Sequence, residues 1–483
     1  MKRVLLPLAL AAGLSPLPGQ ARTWGSLEFT DCELGQPGTA VTTPAECARL
    51  EVPENPDQPD GPKISLKVAM LPARAAEPEA DPVIFLAGGP GQAATETFPP
   101  MSGVLSRLRD KRHLLFMDQR GTGGSNPLTC TFPDELGMDP SPEQMLALTR
   151  DCLGQLDANL AQYTTSVAVQ DIEALRLAIG APALNVYGGS YGTRVAQQFA
   201  RQYPGSVRSL VLDGVVPPDL ALGSEHALNL DAALEPILAR CEQQPACAEA
   251  FGQPYRRLYA LRDRVRMAPE TVRIRDPLTH RPRELRLDEA SVALVARLFA
   301  YTPDTAALLP LLVDEALKGR PEPMLAQALM VLDSLTGQIN QGMQLSVTCA
   351  EDAPRLQADP ADADRLLGTS LIDVLQQQCS LWPRGVVTPG FHEPLRSEVP
   401  ALILSGEFDP VTPPRYGERV AEGLSRSRHL VGKGQGHILL NRGCTVRLVA
   451  QFIDSLDPQA LDASCLDVLD SSPFFTSYNG AEP

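Results

Sequence analysis

The sequence predicts an α/β fold, a mostly parallel sheet flanked by helices, and three observations predict it. Apolar runs ending in glycine-rich turns, "DPVIFLAGGPGQ", "HLLFMDQRGTGGSNP", "LNVYGGSYG" and "VPALILSGEFDP", read as buried strands. Helical segments separate several of these runs. In "VAVQDIEALRLAIG" the residues Val169, Ile172, Leu175, Leu177 and Ile179 keep helical spacing, and Gly180 supplies a stop. The alternation breaks at about residue 220, where a mostly helical block with one hairpin, "TVRIRDPLTHRPRELRLDE", begins, and it resumes near residue 399.

Taken in order, residues 1–21 have the parts of an export leader: Lys2 and Arg3, an apolar stretch from Val4 to Leu14, and the small residues Gly19 and Ala21. The stretch is short for a bilayer and is interrupted by Pro7, and no later segment is long and apolar enough to cross a membrane. The first cysteine is Cys32, so no lipid attachment is expected at the leader's end. "ARLEVPENP" and "KISLKVAMLPAR" read as two strands joined by a Pro- and Asp-rich turn. The three glycine-ended runs follow, then "VRSLVLDG", a strand ending at Asp213. After the helical block come "VPALILSG", "SRHLVGKGQGH" and a closing helix around Val446 to Asp454. The expected division is therefore a leader at 1–21, a first core part at 22–219, a helical lid at 220–398 and a second core part at 399–483. A lid inserted before the last core strands lies over the carboxyl edge of the sheet, where open α/β sheets bind ligands.

Composition narrows the function. The chain has 483 residues, 43% hydrophobic and 21% charged, and is ordinary for a large globular protein without tandem repeats. A net charge of −16 repels nucleic acid phosphates. Ten cysteines fall in neighbouring couples, and no CxxC cluster suits a metal. Disulfides in an oxidising compartment are the expectation, periplasmic or secreted, with several connectivities open and pairing of sequence neighbours the simplest.

The chemistry centres on Gly188–Gly192, "GGSYG", which fits G-x-S-x-G. A strand reversing sharply into a helix leaves no room beside the turn and holds a serine hydroxyl clear of the sheet. The motif alone is weak, but a strand before it and a helix after it make Ser190 a candidate nucleophile rather than a residue of a plain turn. A serine needs a base, and the base an orienting acid. Of six histidines, His437 in "GKGQGH" lies in a flexible turn after a strand and follows the other candidates in the Ser, Asp, His order of this architecture. His113, His226, His280, His392 and His429 read as surface or packing residues. Asp409 in "EFDPVTPP" stands just beyond a buried strand and is the candidate acid. Asp213 is its rival and is expected to cap a turn, and Glu407 is a third choice. Two N–H donors for an oxyanion are expected from Tyr191, directly after the serine, and Gly89 in "AGGPG". Neither "GGPGQ" nor "GTGGSN" has dinucleotide-binding spacing.

With these residues assembled, the chain resembles the secreted tripeptidyl aminopeptidase branch of the proline iminopeptidase family of α/β-hydrolases. "GGPG", "DQRGTGGS", "GGSYGT", "SGEFDPVTP" and "GQGH" carry the resemblance, in order and around a helical insert. It implies an α/β-hydrolase fold, a Ser190, Asp409, His437 triad and a C-terminal region like that of tripeptidyl aminopeptidases (TAP-like). Proline iminopeptidases proper carry a histidine before "GGPG", here Ala87, and commonly Trp after the nucleophile, here Tyr191. Both departures lean toward the tripeptidyl branch. Aminopeptidases of the family read a free N-terminal ammonium with lid carboxylates, and "SVTCAEDAP" offers Glu351 and Asp352 for that task, against the plainer reading of a solvated pair.

The expectation is an exported serine peptidase that releases tripeptides or single residues from peptides with a free N-terminus, using no metal or organic cofactor. An esterase or lipase with the same triad is the alternative, because fold and triad do not set the acyl group. A non-catalytic binding protein on this fold is a further one.

Overall fold

The computed structural model of the protein describes residues 21–132 and 141–481, so all of the expected leader except Ala21 lies outside the described residues. Its strands are β1 (Arg22–Trp24), β2 (Leu27–Leu34), β3 (Thr43–Pro53), β4 (Lys63–Leu71), β5 (Val83–Leu86), β6 (Leu114–Met117), β7 (Leu184–Gly189), β8 (Val207–Asp213), β9 (Glu270–Arg275), β10 (Pro282–Leu287), β11 (Ala401–Gly406) and β12 (Ser427–Gly432). Ten of them form one sheet in the order β1-β2-β3-β4-β6-β5-β7-β8-β11-β12, and β9 pairs with β10 apart from it. From β6 to β12 every neighbouring pair is parallel. The pairs from β1 to β4, and β4 with β6, are antiparallel.

The continuous apolar runs follow from burial on both sheet faces. Ile84, Leu86, Val186, Leu210 and Ile403 point to one side, where they pack with Ile172, Leu175, Val195 and Phe199 of the helices Thr165–Ile179 and Tyr191–Gln202. Phe85, Phe116, Tyr187, Val211 and Leu402 point to the other, against Leu448, Val449 and Phe452 of the helix Thr445–Ser455. Strands β1 and β2 extend the sheet beyond the strands read from sequence. In β2, "LEFTDCEL", only Leu27, Phe29 and Leu34 are buried while acidic positions stay exposed, so the alternation is diluted.

Between β8 and β11 the chain is mostly helical and builds its own apolar core, from Leu230 through Leu329 with Leu366 and Phe474. The five disulfides join sequence neighbours: Cys32–Cys47, Cys130–Cys152, Cys241–Cys247, Cys349–Cys379 and Cys444–Cys465.

Candidate active site

At the carboxyl end of β7 the chain turns at Ser190 with φ 54° and ψ −123°, outside the region that side chains favour. The turn is tight because its flanks touch backbone. A Cβ on Gly188 would lie 2.4 Å from the Gly192 carbonyl oxygen, and one on Gly192 would lie 2.2 Å from that of Leu86. Hydrogen bonds hold the strained residue in place: Ser190 N–H donates to the Asp213 carbonyl at 2.8 Å, and Thr193 Oγ1 donates to the Ser190 carbonyl at 2.6 Å. The hydroxyl thus stands at the N-terminus of the helix Tyr191–Gln202, where the dipole favours developing negative charge.

His437 lies in the loop after β12. Its Nδ1 and Asp409 Oδ2 are 2.7 Å apart. Asp409 is itself fixed: Val411 N–H and Thr412 N–H each donate to Oδ1 at 2.8 Å, and Thr412 Oγ1 donates to Oδ2 at 2.7 Å. Burial opposes its ionisation, yet the charge and hydrogen bond of His437, together with the backbone and hydroxyl hydrogen bonds of Thr412, hold its carboxyl below the usual range. Burial likewise disfavours a charged His437, but Asp409 outweighs it and raises the imidazole above its ordinary value. With Nδ1 committed to the carboxylate, Nε2 is the nitrogen left to accept a proton.

The register brings this ring to the end of β8 that lies next to the serine-bearing end of β7. Gly189 pairs with Asp213 across β7 and β8, and a Cβ on the next residue, Gly214, would lie 3.0 Å from His437 Cε1. Among the described residues no hydrogen bond engages Ser190 Oγ or His437 Nε2.

Asp213 lies beneath the histidine loop. It accepts from Leu439 N–H at 2.8 Å, from Leu440 N–H at 2.8 Å and from the Tyr187 hydroxyl at 2.9 Å. Burial, only partly offset by these donors, lifts its pKa to about 6. From the other side, the carbonyl of Tyr301, just past the helix Glu289–Ala300, accepts the backbone N–H of His437 at 2.8 Å.

The two expected oxyanion donors flank the serine. Tyr191 N–H is the first of its helix, and Gly89 adopts φ 103°, which its lack of a side chain permits. A Cβ on the adjoining Gly88 would lie 3.2 Å from Ser190 Cβ, so this loop runs against the serine side chain. The Tyr191 side chain is buried away from the cleft, its hydroxyl 2.5 Å from Thr165 Oγ1 and accepting from Gln119 Nε2 at 3.1 Å.

Glu351 and Asp352 stand differently from the sequence expectation. Both are fully buried, and neither presents a carboxylate to a cleft. Arg194 Nη1 donates to both oxygens of Asp352 at 2.9 and 3.0 Å, and Leu222 N–H donates to Oδ1 at 3.0 Å. Glu351 accepts from Thr165 N–H at 2.7 Å and from Thr165 Oγ1 at 3.0 Å, with Arg194 Nη1 at 3.6 Å. Desolvation raises its pKa to about 7 in spite of the arginine. The pair anchors the helix that follows Ser190 to the helix Gln341–Glu351, because a buried carboxylate must find donors and Arg194 and Thr165 supply them.

Three neighbours of the site escaped the sequence reading. Thr412 had a signal, since an Asp followed at two and three residues by free N–H groups forms a local turn. Tyr301 and Arg194 had none, being brought in from distant segments. The remaining histidines are otherwise occupied or distant: His113 accepts from Ala73 N–H at 3.1 Å, His429 meets Ser405 Oγ at 2.9 Å and His392 meets Arg355 at 2.7 Å. His226 is the exception, since the charge of His437 is felt at its imidazole. The "DQRGTGGS" motif proves to be scaffold. Asp118 accepts from Thr95 N–H at 2.8 Å and Gly124 N–H at 2.9 Å, and Arg120 holds Asp171 through two hydrogen bonds of 2.7 Å.

Comparison with known proteins agrees with this architecture. Residues 81–267 match the family described as alpha/beta hydrolase fold, and residues 364–465 match the family described as TAP-like protein. The serine protease Hip1 of Mycobacterium tuberculosis is 26% identical over 464 residues, covering 86% of this chain and 86% of that protein. Carboxylesterase B of the same species is 26% identical over 468 residues, 87% of each chain. The tripeptidyl aminopeptidase of Streptomyces lividans is 28% identical over 212 residues, 40% of this chain and 39% of that one.

Proposed function

We propose that this chain, which matches the alpha/beta hydrolase fold over residues 81–267 and the TAP-like family over residues 364–465, is an exported serine aminopeptidase acting on short peptides. The observation that carries the reading is the strained serine at the end of β7 with a histidine, held by a buried aspartate at 2.7 Å, beside it. Export is supported by the five disulfides, which persist in oxidising compartments.

In this reading His437 Nε2 takes the proton of the Ser190 hydroxyl as its oxygen attacks the scissile carbonyl. The carbonyl becomes an oxyanion held by the N–H groups of Gly89 and Tyr191. Collapse of the tetrahedral intermediate breaks the C–N bond, and the imidazolium gives its proton to the leaving amine. Water, deprotonated by His437, then releases the acyl group from Ser190. Asp409 orients the imidazole and stabilises its charged form. The lid, residues 220–398, restricts entry to small peptides, and the tripeptidyl aminopeptidase relative supports release from a free N-terminus.

A second reading, an esterase with the same triad, is favoured by the carboxylesterase relative that matches nearly the whole chain. Peptide anilides with a free amine and their N-acetylated twins separate the two. The aminopeptidase reading expects cleavage of the free-amine form alone. Equal cleavage of both, or rapid ester turnover with neither anilide cut, would overturn it. A fluorophosphonate that labels the protein but not Ser190→Ala identifies the nucleophile.

A further inference from the structure

The helix that leads to Tyr301 carries an arginine that, among the described residues, no carboxylate answers. Arg297 lies in the lid helix Glu289–Ala300, one turn before Tyr301, so the two residues share a helix face. Tyr301 is the residue that meets the candidate base, its ring edge-on to the imidazole with centroids 5.4 Å apart. Arg297 is half-buried, and among the described residues its guanidinium enters no ion pair and no hydrogen bond.

Exposed arginines of the block, such as Arg256 and Arg384, also stand unpaired among the described residues, but its other buried or half-buried arginines have partners: Arg257 with Asp314, Arg262 with Asp263, Arg264 with Glu270 and Arg365 with Asp362. A chain of net charge −16 has carboxylates to spare for one more partner. The charge of Arg297 reaches inward, where it disfavours protonation of both His226 and His437. His226 opens the helix His226–Gln243, directly after the segment that leaves β8. Burial, then Arg297 and His437, hold its imidazole well below the usual range, so at neutral pH it offers one N–H donor without a charge.

We propose that Arg297 forms a carboxylate-binding subsite, so that the preferred substrates carry a carboxylate close to the scissile bond. A guanidinium presents a planar fork that holds a carboxylate by two parallel hydrogen bonds, and a partly dry cleft strengthens them. The subsite also offsets the repulsion that Asp409 and Asp213 exert on an anionic substrate. The carboxylate belongs to an acidic side chain next to the scissile bond or to the C-terminus of a short peptide. The inference rests on the hydrolase reading above and deepens it.

The test compares kcat/KM for matched pairs that differ only in charge. One arm sets a glutamyl residue beside the scissile bond against glutaminyl; the other sets a short peptide acid against its amide. Wild type is expected to favour the carboxylate member of one arm by about tenfold or more, the scale of a charge-assisted hydrogen-bonded pair. In Arg297→Gln that ratio is expected to fall to near one, and Arg297→Lys, which keeps the charge but not the fork, to restore part of it. A ratio within one protein cancels effects common to both substrates, including altered titration of His437. The responding arm identifies the source of the carboxylate. A preference that survives Arg297→Gln, or its absence from both arms, overturns the proposal. If no peptide is cut, p-nitrophenyl succinate against its methyl ester puts the same question to the esterase reading, so loss of the peptidase activity and loss of the subsite are told apart.

Discussion

The backbone carbonyl of Tyr301 accepts the N–H of His437 at 2.8 Å, while the Tyr301 ring meets the imidazole edge-on at 78°. The helical block between β8 and β11 is thus fastened directly to the loop that carries the candidate base. Tyr301→Ala removes the ring and leaves the carbonyl, freeing the imidazole on one side. We expect kcat/KM to fall roughly tenfold, in line with about 0.5–1.5 kcal/mol for an aromatic pair, and Tyr301→Phe to restore it. Steady-state kinetics of the two variants check this; equal loss in both would assign the effect to the hydroxyl.

The pairing of His437 with Asp409 sets a pH dependence. The imidazole must be neutral to accept a proton, and its pKa is raised above 6.5, burial being outweighed by Asp409. Activity is therefore expected to fall as pH drops through a value above 6.5. Asp409→Asn removes the raising charge and leaves the imidazole without its orienting acceptor, so kcat should drop by about 10⁴. A kcat/KM profile from pH 5 to 9 measures the limb, and a midpoint below 6.5 in wild type would contradict the geometry.

Asp213 acts through the loop rather than on substrate. Its two oxygens hold Leu439 N–H and Leu440 N–H directly after His437, and its charge favours the protonated imidazole. Asp213→Asn replaces one acceptor by a donor facing a donor, leaving buried groups unpaired at about 1–3 kcal/mol each. Fluorophosphonate labelling of Ser190 should slow by about tenfold or more. The acid limb should move to lower pH, a shift that loss of packing alone does not produce.

Glu351 carries a stability signature. Burial first, only partly opposed by Arg194, raises its pKa from 4.5 to about 7. Between those values the folded chain binds more protons than the unfolded one, so this residue's contribution falls as pH rises from 4.5 to 7. Glu351→Gln lacks the titration and keeps an acceptor for Thr165 N–H. Relative to pH 4.5, the variant should gain on wild type by on the order of 3 kcal/mol at pH 8. Denaturant unfolding at the two pH values measures it; a difference that does not change with pH would exclude a raised Glu351.

The Cys349–Cys379 bridge spans 30 residues and ties the helix Gln341–Glu351 to the helix Ser370–Leu381. Replacing both cysteines by serine should cost about 2–4 kcal/mol by releasing the unfolded chain. Thermal unfolding should show a lower midpoint in the variant, and reductant should narrow the gap.

Much of this was legible in the chain itself. β5 to β8 and β11 announced themselves as apolar runs ending in turns, because a strand buried on both faces must be apolar nearly throughout, while β3, β4 and β12, only partly buried, were legible from apolar positions bounded by turn residues. Ser190, Asp409 and His437 stood out because each follows such a strand in a turn whose glycines or prolines have a local steric cause. β1 and β2 did not, since an edge with one buried face keeps too few apolar positions to show a period. Glu351 and Asp352 looked available as ligands because a carboxylate's partner cannot be read from its neighbours in sequence. The tertiary structure decided that Arg194, 158 residues from Asp352, would neutralise it, that Asp213 would hold the histidine loop, and that Arg297 would find no partner among the described residues. The local turns were determined by sterics within a few residues. The charge pairing depended on which distant side chains the packed core brought within hydrogen-bonding distance, and only the folded chain specifies that.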